Sequence, residues 1–482
     1  MKRTPYLFII LLLIFAPFSV NAKQWNVGPG LPYTAPSKVM GLVQTGDTVV
    51  IQSGLYSGDV GFWTKDSLVI YCPNGFAHLD ANGKNAGGKG IWVVDGNHTK
   101  IINIEFSGVT VPDQNGAGIR LEGVGLELRH CYFHDNDEGV LAGDDPGHDS
   151  SDVLFEACEF DHNGFGDGYS HNMYINHLRS FAVRFCYIHR AKVGHNIKSR
   201  ALNTYIMYNR IMDEADGTAS YTIDLPNGGN AYIIGNSIQK GPLAQNHPII
   251  TFGEEGLSNP AKQLYVVNNT IVSENPKAVY ISLPSGFDSA FAYNNLYYGS
   301  GTLYGGYVYT NANVVANSMS GYLLTWHFFD TSAYDFRVTM TGYPALSGKD
   351  PGSVNGFSLS PTMQYVHPVD SIVRNNTWGY VGAFDWVLLG VSLPFQSNPI
   401  LCNYPNPFTS TTTIHVREEG AAGKLLNLTI YDISGKQCSQ LNIFPTNKEV
   451  IFERGNLQSG IYTYIINTEL GKSVGTGKFI IE

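Results

Sequence analysis

Short runs of alternating apolar and polar residues fill most of this chain, and polar turns separate them. One run per repeat ends in an apolar residue, and these residues recur every 23 to 33 positions. They are Phe106, Phe133, Phe160, Ile188, Ile211, Ile238, Ile271 and Leu296. A repeat of this length cannot bury its own apolar face. The pattern therefore predicts short strands that stack, repeat upon repeat, into a solenoid.

Two positions before each of these residues, the side chain should point the same way, because strand side chains alternate. Those positions hold Ile104, Cys131, Cys158, Cys186, Asn209, Asn236, Asn269 and Asn294. Stacked asparagines can bond from coil to coil, so we expect an asparagine ladder. The three cysteines are interpreted as small buried fillers, with a disulfide between adjacent rungs as the alternative.

A second strand of the repeat carries the candidate chemistry. A four-residue pattern occurs three times, as His171-Asn172-Met173-Tyr174, His195-Asn196-Ile197-Lys198 and Tyr221-Thr222-Ile223-Asp224. If the third residue of each copy points inward, the fourth faces outward. The sequence therefore predicts a vertical row of Tyr174, Lys198 and Asp224, with coils about 4.8 Å apart.

Several polar residues surround the predicted row. Arg200 follows Lys198 by two positions and faces outward on the same strand. Asp224 and four amides on or near this face are candidate substrate ligands, and the amides are Asn172, Asn176, Asn196 and Asn227. Lys198 beside Asp224 is either an acid–base pair or a structural ion pair. His171 and His195 either take part in catalysis or stack at the coil edge with their nitrogens bonded to backbone.

Composition narrows the class of protein. The 482 residues include 53 Gly and 29 Tyr, and only 15% are charged, which favours an all-β fold. The formal charge of −10 argues against nucleic acid as a partner. Residues 1–22 have the basic end, apolar run and small-residue cleavage site of a secretory signal peptide. No later segment is long and apolar enough for a transmembrane segment.

The start and end of the repeat resemble those of right-handed parallel β-helix proteins. Thr34 can cap a short helix and Pro36 suits its first turn. The apolar face of this helix, Val39, Leu42 and Val43, would cover the open end of the solenoid. Residues 333–386 are similar to the irregular final coils and C-terminal cap of such proteins. We therefore assign residues 23–386 to a β-helix with an N-terminal cap, and residues 387–400 to a linker.

Residues 401–482 read as a separate small β-sandwich, with short strands between Pro, Asn and Gly turns. Its motifs are Asn403-Tyr404-Pro405-Asn406-Pro407-Phe408, Leu457-Gln458-Ser459-Gly460-Ile461-Tyr462 and the terminal Gly477-Lys478-Phe479-Ile480-Ile481-Glu482. They resemble the C-terminal sorting domain of the type IX secretion system. The resemblance implies that the secretion machinery is a partner, and that the protein is released or attached to the cell surface.

The segment 195–229 resembles the β-helix polysaccharide lyases of the alginate lyase and chondroitinase B type. In that family a lysine followed by serine abstracts the C5 proton of a uronic acid, and Lys198-Ser199 matches this pattern. The family's arginine is missing from the next coil, where Asp224 stands instead. Arg200 is the substitute on the same strand, and Tyr174 or a histidine would protonate the leaving oxygen.

Other acidic segments offer weaker candidates. Calcium could neutralise the substrate carboxylate if Asp224 or Asp167 held it. The segment 144–149 resembles the Asp-Pro-His-Asp motif of mannuronan C5-epimerases, but an extra glycine interrupts it. The histidines lack a further convergent ligand for a metal site of their own.

The sequence predicts a secreted, monomeric β-helix protein that cleaves a uronic-acid-containing polysaccharide by β-elimination. Two alternatives stay open. One is a glycoside hydrolase of the polygalacturonase type, which needs two carboxylates, although Asp224 has no evident outward acidic neighbour. The other is a non-catalytic glycan-binding or adhesive protein, because the fold alone does not define a function.

Overall fold

The computed structural model describes residues 22–145, 150–305, 328–338, 348–375, 380–385, 401–416, 425–432, 436–445, 449–468 and 473–481. The predicted signal peptide up to residue 21 and the predicted linker at 387–400 lie outside these ranges. The described chain is all-β. Its helices are one α-helical turn, Ser37–Met40, and one 3-10 turn, Thr331–Ala333.

The main body is a parallel β-solenoid in which each coil adds one strand to each of three sheets. The first sheet contains Gln24–Val27, Thr48–Ile51, Val69–Tyr71, Thr99–Ile102, Leu126–Arg129, Asp152–Glu156, Ser180–Arg184, Asn203–Met207, Gly229–Ile234, Lys262–Val267 and Ser289–Tyr293. The second contains Gly54–Leu55, Ala77–Asp80, Ile104–Ser107, Tyr132–His134, Glu159–Asp161, Tyr187–His189, Arg210–Met212, Ser237–Lys240, Thr270–Ser273 and Leu296–Gly299. The third contains Gly61–Trp63, Gly90–Val94, Ala117–Leu121, Glu138–Ala142, Met173–Ile175, Ile197–Ser199, Ile223–Leu225, Pro248–Phe252, Val279–Ser282 and Thr302–Gly305.

The apolar repeat is the inner row of the second sheet. Phe106, Phe133 and Phe160 are fully buried and stack ring on ring, with centroids 5.0 and 4.8 Å apart. The predicted register holds as far as Ile271. There the prediction was wrong by one residue, because Ile271 pairs with Tyr297 and not with Leu296.

Cysteine and asparagine side chains form one continuous ladder at the corner between the first and second sheets. The Cys131 backbone N–H donates to Cys158 Sγ at 3.4 Å, and the Cys158 N–H donates to Cys186 Sγ at 3.3 Å. All three thiols are buried and reduced, which confirms the filler interpretation over the disulfide. From Cys186 onward the acceptors are amide oxygens, the first of them Asn209 Oδ1 at 3.0 Å.

Each asparagine of this ladder makes the same set of bonds. Asn236 Oδ1 accepts the backbone and side-chain N–H groups of Asn209 at 2.9 and 3.0 Å, and Asn269 does the same for Asn236. The last rung is Asn295, whose Oδ1 accepts from Asn269 at 2.9 Å. The prediction of Asn294 was wrong for the same one-residue shift, and Asn294 bonds to Asn268 instead.

The N-terminal cap is smaller than predicted. The helix begins after Pro36 without a side-chain cap, so Thr34 does not cap it. Val39 and Val43 are buried, as predicted, but Leu42 is 45% exposed because the helix ends at Met40.

The segment after the last coil runs along the side of the solenoid. Its three antiparallel hairpins are Phe328–Asp330 with Asp335–Val338, Ser353–Val354 with Phe357–Ser358, and Met363–Val366 with Asp370–Val373. Phe357 packs on Tyr232, with ring centroids 4.8 Å apart, and the Thr362 N–H donates to Tyr208 Oη at 3.1 Å. In its described parts the segment contains hairpins laid on earlier coils, and the predicted final coils are not found there.

The C-terminal module is the predicted small β-sandwich. One antiparallel sheet contains Cys402–Tyr404, Thr411–His415 and Glu449–Glu453, and the other contains Leu426–Asp432, Gln437–Ile443, Gly460–Thr468 and Ser473–Ile481. Phe452 and Phe479 join the two sheets, with ring centroids 5.2 Å apart. This packing gives the module a hydrophobic core of its own.

We predict that Asn236→Ala lowers the free energy of unfolding by about 3 kcal/mol or more. The substitution leaves the buried backbone N–H and Nδ2 of Asn209 without this acceptor, and each lost partner costs about 1–3 kcal/mol. Urea unfolding followed by circular dichroism measures the loss. Asn230→Ala is the matched control, since its amide bonds to Asn203 on the outer face of a neighbouring strand. That variant should lose less than about 1 kcal/mol. Equal losses of unfolding free energy in the two variants would show that the buried ladder stabilises the fold no more than an outer-face asparagine pair.

Candidate functional site

The predicted row exists on the outer face of the third sheet. Tyr174 pairs with Lys198, Lys198 with Asp224, and Asp224 with Thr251 on successive strands. The inward neighbours that fix this orientation are fully buried, namely Met173, Ile197, Ile223 and Ile250. Alternation around these apolar residues is what turns the polar side chains outward.

A carboxylate that the sequence analysis missed bridges the two basic residues of the row. Lys198 Nζ lies 2.8 Å from Glu255 Oε1 and 3.7 Å from Asp224 Oδ2. Arg200 Nη2 lies 2.5 Å from Glu255 Oε2, and its Nε donates to Tyr174 Oη at 2.9 Å. Lys198 and Arg200 therefore form a clamp around one carboxylate, and we call them the basic clamp.

Glu255 reaches the clamp from a turn that follows strand Pro248–Phe252. Gly253 and Gly256 flank it with φ of +83° and +100°, values that glycine adopts without steric cost. The Glu255 N–H donates to Pro226 O at 3.1 Å, which holds the turn against the coil below. The Glu255 side chain is 47% exposed, whereas that of Lys198 is 11% exposed. The clamp is thus covered by a solvent-facing side chain.

The two carboxylates beside Lys198 differ in their environments. Burial raises the pKa of Asp224 to about 6, although Thr251 Oγ1 donates to it at 2.6 Å. Burial also acts on Glu255, but hydrogen bonds from Lys198 and Arg200 outweigh it and lower its pKa below the usual value. At mildly acidic pH, the site therefore combines a carboxyl group near its titration point with an ionised carboxylate.

The two histidines stack inside the coil edge, with ring centroids 4.5 Å apart. His171 Nδ1 accepts the His195 backbone N–H at 2.9 Å, and His195 Nδ1 accepts the Tyr221 N–H at 3.3 Å. Burial lowers the pKa of His171 well below its usual value and that of His195 to about 3. Both rings are therefore neutral, with the proton on Nε2. His195 Nε2 lies 3.4 Å from Asp224 Oδ2.

Glu138 is a further buried acid, next to His171, that the sequence analysis did not identify. Glu138 Oε2 accepts the His171 backbone N–H at 2.9 Å, and its side chain is fully enclosed. Burial raises its pKa well above the usual value and so favours the protonated, neutral form of Glu138. It supports the histidine stack and does not reach the outer face.

Two of the predicted substrate ligands are not on the outer face. Asn172 and Asn196 are fully buried in a second amide ladder, in which Asn172 Nδ2 donates to Asn196 Oδ1 at 2.9 Å. Asn196 Nδ2 continues it to Asp213 Oδ1 at 3.0 Å. Both asparagines precede their strands, so the two-residue alternation that we applied to them does not hold there. Their amides fix the turns that carry the histidines.

The other two amides behave differently. Asn227 Oδ1 accepts from Arg200 Nη1 at 2.5 Å, so Asn227 orients the basic clamp. Asn176 is half-buried and follows the strand of Tyr174.

The calcium candidates are separate from each other. Asp167 is exposed, and its Oδ1 accepts the backbone N–H groups of Tyr169 and Ser170 in a local turn. Within the described ranges, neither Asp167 nor Asp224 joins a group of three His, Cys, Asp or Glu ligand atoms at metal spacing.

The epimerase-like segment is only partly described, since residues 146–149 lie outside the described ranges. Asp144 Oδ1 lies 2.8 Å from His177 Nδ1. Asp145 Oδ2 accepts the Ser151 N–H at 3.0 Å and so closes a loop. The described contacts of this segment are those of a polar turn.

The comparisons with known proteins concern the C-terminal module. Residues 403–482 match the family model described as the secretion system C-terminal sorting domain. Searches of curated proteins and of solved structures found no significant match. The part of the chain that the structure describes contains no helix long and apolar enough to cross a membrane.

The solenoid and this match together define the class of protein. It is a secreted β-helix protein whose C-terminal domain addresses it to the type IX secretion machinery. Such a domain leads to release from the cell or attachment at its surface.

The raised pKa of Asp224 predicts a pH-dependent effect of Asp224→Asn. The pKa of an unfolded aspartate is about 3.9, so folding holds this proton more tightly. The resulting stability is lost as pH rises from that value through about 6. The neutral amide of the variant would carry no such penalty. We therefore expect the variant to gain roughly 2 kcal/mol relative to the parent between pH 4 and pH 7.5. Urea unfolding at both pH values measures this, and an equal difference at both would contradict it.

Proposed function

We propose that this secreted β-helix protein binds a uronic-acid-containing polysaccharide across the third sheet and cleaves it by β-elimination. The observation that supports the proposal best is the carboxylate of Glu255 between Lys198 and Arg200. Its two oxygens contact the two basic groups at 2.8 and 2.5 Å. A uronate carboxylate has the same shape and charge as this side chain and can replace it.

Replacement of Glu255 is physically reasonable. Its side chain is 47% exposed, so water reaches its end of both ion pairs, and exposed ion pairs typically contribute about 1 kcal/mol or less each. It sits on a turn outside the strand, flanked by Gly253 and Gly256, so displacing its carboxylate does not require a change in the sheet. The incoming carboxylate would meet a clamp whose Arg200 is already oriented by Tyr174 and Asn227.

The reaction then requires neutralisation of the substrate carboxylate, a base for the C5 proton and a proton donor for the leaving oxygen. The carboxylate beside C5 must be neutralised, which Arg200 does through its guanidinium. A base must remove the C5 proton, the electron pair must form the C4–C5 double bond, and the C4–oxygen bond must break. The lyase resemblance assigns the base to Lys198, which acts only when its amine is uncharged.

The remaining residues have supporting roles in this proposal. Tyr174 Oη contacts Arg200 and faces the same surface, so it is the candidate proton donor to the leaving oxygen. Neither histidine is suited to be a base, because Nδ1 of each already accepts a backbone N–H. We assign His171 and His195 to positioning, with His195 Nε2 directed at Asp224.

A glycoside hydrolase is the second candidate, and the Asp224–Glu255 pair favours it. The expected lack of an acidic neighbour to Asp224 was wrong, since both carboxylates contact Lys198. One carboxyl group with a raised pKa and one ionised carboxylate are what acid–base hydrolysis needs. Growth of reducing ends without the ultraviolet absorbance of an unsaturated product would favour hydrolysis. Binding without any cleavage would favour a glycan-binding protein.

We predict that Lys198→Ala and Arg200→Ala each lower the rate of cleavage at least about 100-fold, because the first removes the proposed base and the second removes the charge that neutralises the carboxylate. The assay is ultraviolet absorbance on alginate, pectate, chondroitin and hyaluronan. Lys277→Ala, which changes an exposed lysine elsewhere on the solenoid, is the control and should act like the parent. Unchanged cleavage by Lys198→Ala would remove Lys198 as the base.

We also predict that Glu255→Gln lowers the KM for the anionic polymer by roughly 5-fold, because a neutral amide competes less well for the basic clamp. Glu254→Gln is the matched control, since its carboxylate bonds to Ser282 on the neighbouring strand instead. Initial rates over a range of polymer concentrations measure both. A higher KM for Glu255→Gln would mean that Glu255 itself binds the substrate.

A further inference from the structure

A second cluster of ligating side chains lies on the outer face of the second sheet, near the N-terminal end of the solenoid. His78, Glu105 and His134 come from three successive strands of that sheet. His78 pairs directly with Glu105 in the register, and His134 lies diagonally across from Glu105 on the next strand. The solenoid therefore brings together three residues that are 27 and 29 positions apart in the chain.

The ligating atoms of this cluster are spaced as a metal ion requires. Glu105 Oε1 lies 3.6 Å from His78 Nδ1 and 3.2 Å from His134 Nε2, and all three atoms lie within 4.8 Å of one another. With metal–ligand bonds of about 2.0–2.1 Å, tetrahedral geometry separates neighbouring ligand atoms by about 3.3 Å. Small side-chain movements would close this site around one ion.

The outer nitrogens of both rings are already oriented by other groups. His134 Nδ1 lies 3.0 Å from Asp135 Oδ2, and His78 Nε2 lies 2.7 Å from Ser107 Oγ. Metal-binding histidines characteristically use their second nitrogen in this way, because the outer partner fixes the ring and its tautomer. Here that leaves His134 Nε2 and His78 Nδ1 directed at Glu105.

We propose that His78, Glu105 and His134 bind one divalent transition-metal ion, with Zn²⁺ as the ion that fits best. Two imidazoles and one carboxylate are a common zinc ligand set, with a fourth position left for water. Calcium and magnesium prefer oxygen ligands, so two ring nitrogens disfavour them. The side chains are 29%, 16% and 20% exposed, so an ion can reach them from solvent.

The bound ion would cross-link three successive coils. Hydrogen bonds, stacked rings and ion pairs already join each coil to the next, and a metal would add coordination bonds to side chains of three coils. A ligand that binds only the folded state stabilises it by mass action. The site lies on a different sheet from the basic clamp, so its role is independent of the proposed cleavage.

The test is calorimetric titration of Zn²⁺ into the chain produced without its signal peptide and without a polyhistidine tag. We expect one ion per chain and a higher melting temperature when it is bound. His134→Gln and Glu105→Gln should each weaken binding at least about 10-fold and abolish the melting shift. His247→Gln removes an exposed histidine from a loop elsewhere and is the matched control that should bind like the parent.

Co²⁺ gives a second readout that does not depend on stability. A four-coordinate Co²⁺ ion should produce visible absorption bands in the parent and the control but not in the two ligand variants. Far-ultraviolet circular dichroism checks that the variants remain folded, and Ser107→Ala, which only loosens His78, should show a smaller loss of affinity. No saturable binding by the parent, or equal binding by the ligand variants, would overturn the proposal.

Discussion

The hydrogen bond from the backbone N–H of one coil to a side chain of the next is the interaction on which this structure depends. At the corner between the first and second sheets, sulfur accepts it at Cys158 and Cys186, and amide oxygen accepts it from Asn209 to Asn295. A buried N–H without a partner costs about 1–3 kcal/mol, so each rung penalises a shift of register. The cysteine sulfur and the asparagine amide oxygen thus accept the same backbone hydrogen bond, and the ladder continues where cysteine changes to asparagine.

Fixed register is what makes the candidate site possible. Residues on neighbouring strands of the third sheet are held at the strand spacing of about 4.8 Å, whatever their charge. Lys198 and Asp224 are therefore held next to each other, and burial raises the pKa of Asp224 to about 6. The second amide ladder adds the histidines by fixing the turns at Asn172 and Asn196. The sheet sets the positions of the side chains in the row, and differences in burial and hydrogen bonding set the different pKa values of Asp224 and Glu255.

Periodicity was enough to predict the strands and the row, because alternation and repeat length are set by backbone geometry. It failed where the backbone leaves the strand, as at Asn172 and Asn196, which turn inward just before their strands begin. Glu255 was missed because it lies in a turn. Its signal was present, since the interval between Ile238 and Ile271 is 33 residues and marks an insertion next to the row. Contacts made by insertions do not follow from the repeat.

The position of Glu255 bears on which ligands the basic clamp can accept. An internal carboxylate pairs with both Lys198 and Arg200, so a neutral glycan gains nothing by displacing it and would break both ion pairs. A polyanion replaces the lost ion pairs with its own, and its neighbouring carboxylates raise the effective concentration of the displacing group. If the proposed function is correct, the closed clamp selects for repeated negative charge. Under that proposal, a net charge of −10 is compatible with an acidic polymer as ligand, because local pairing and not total charge would decide binding.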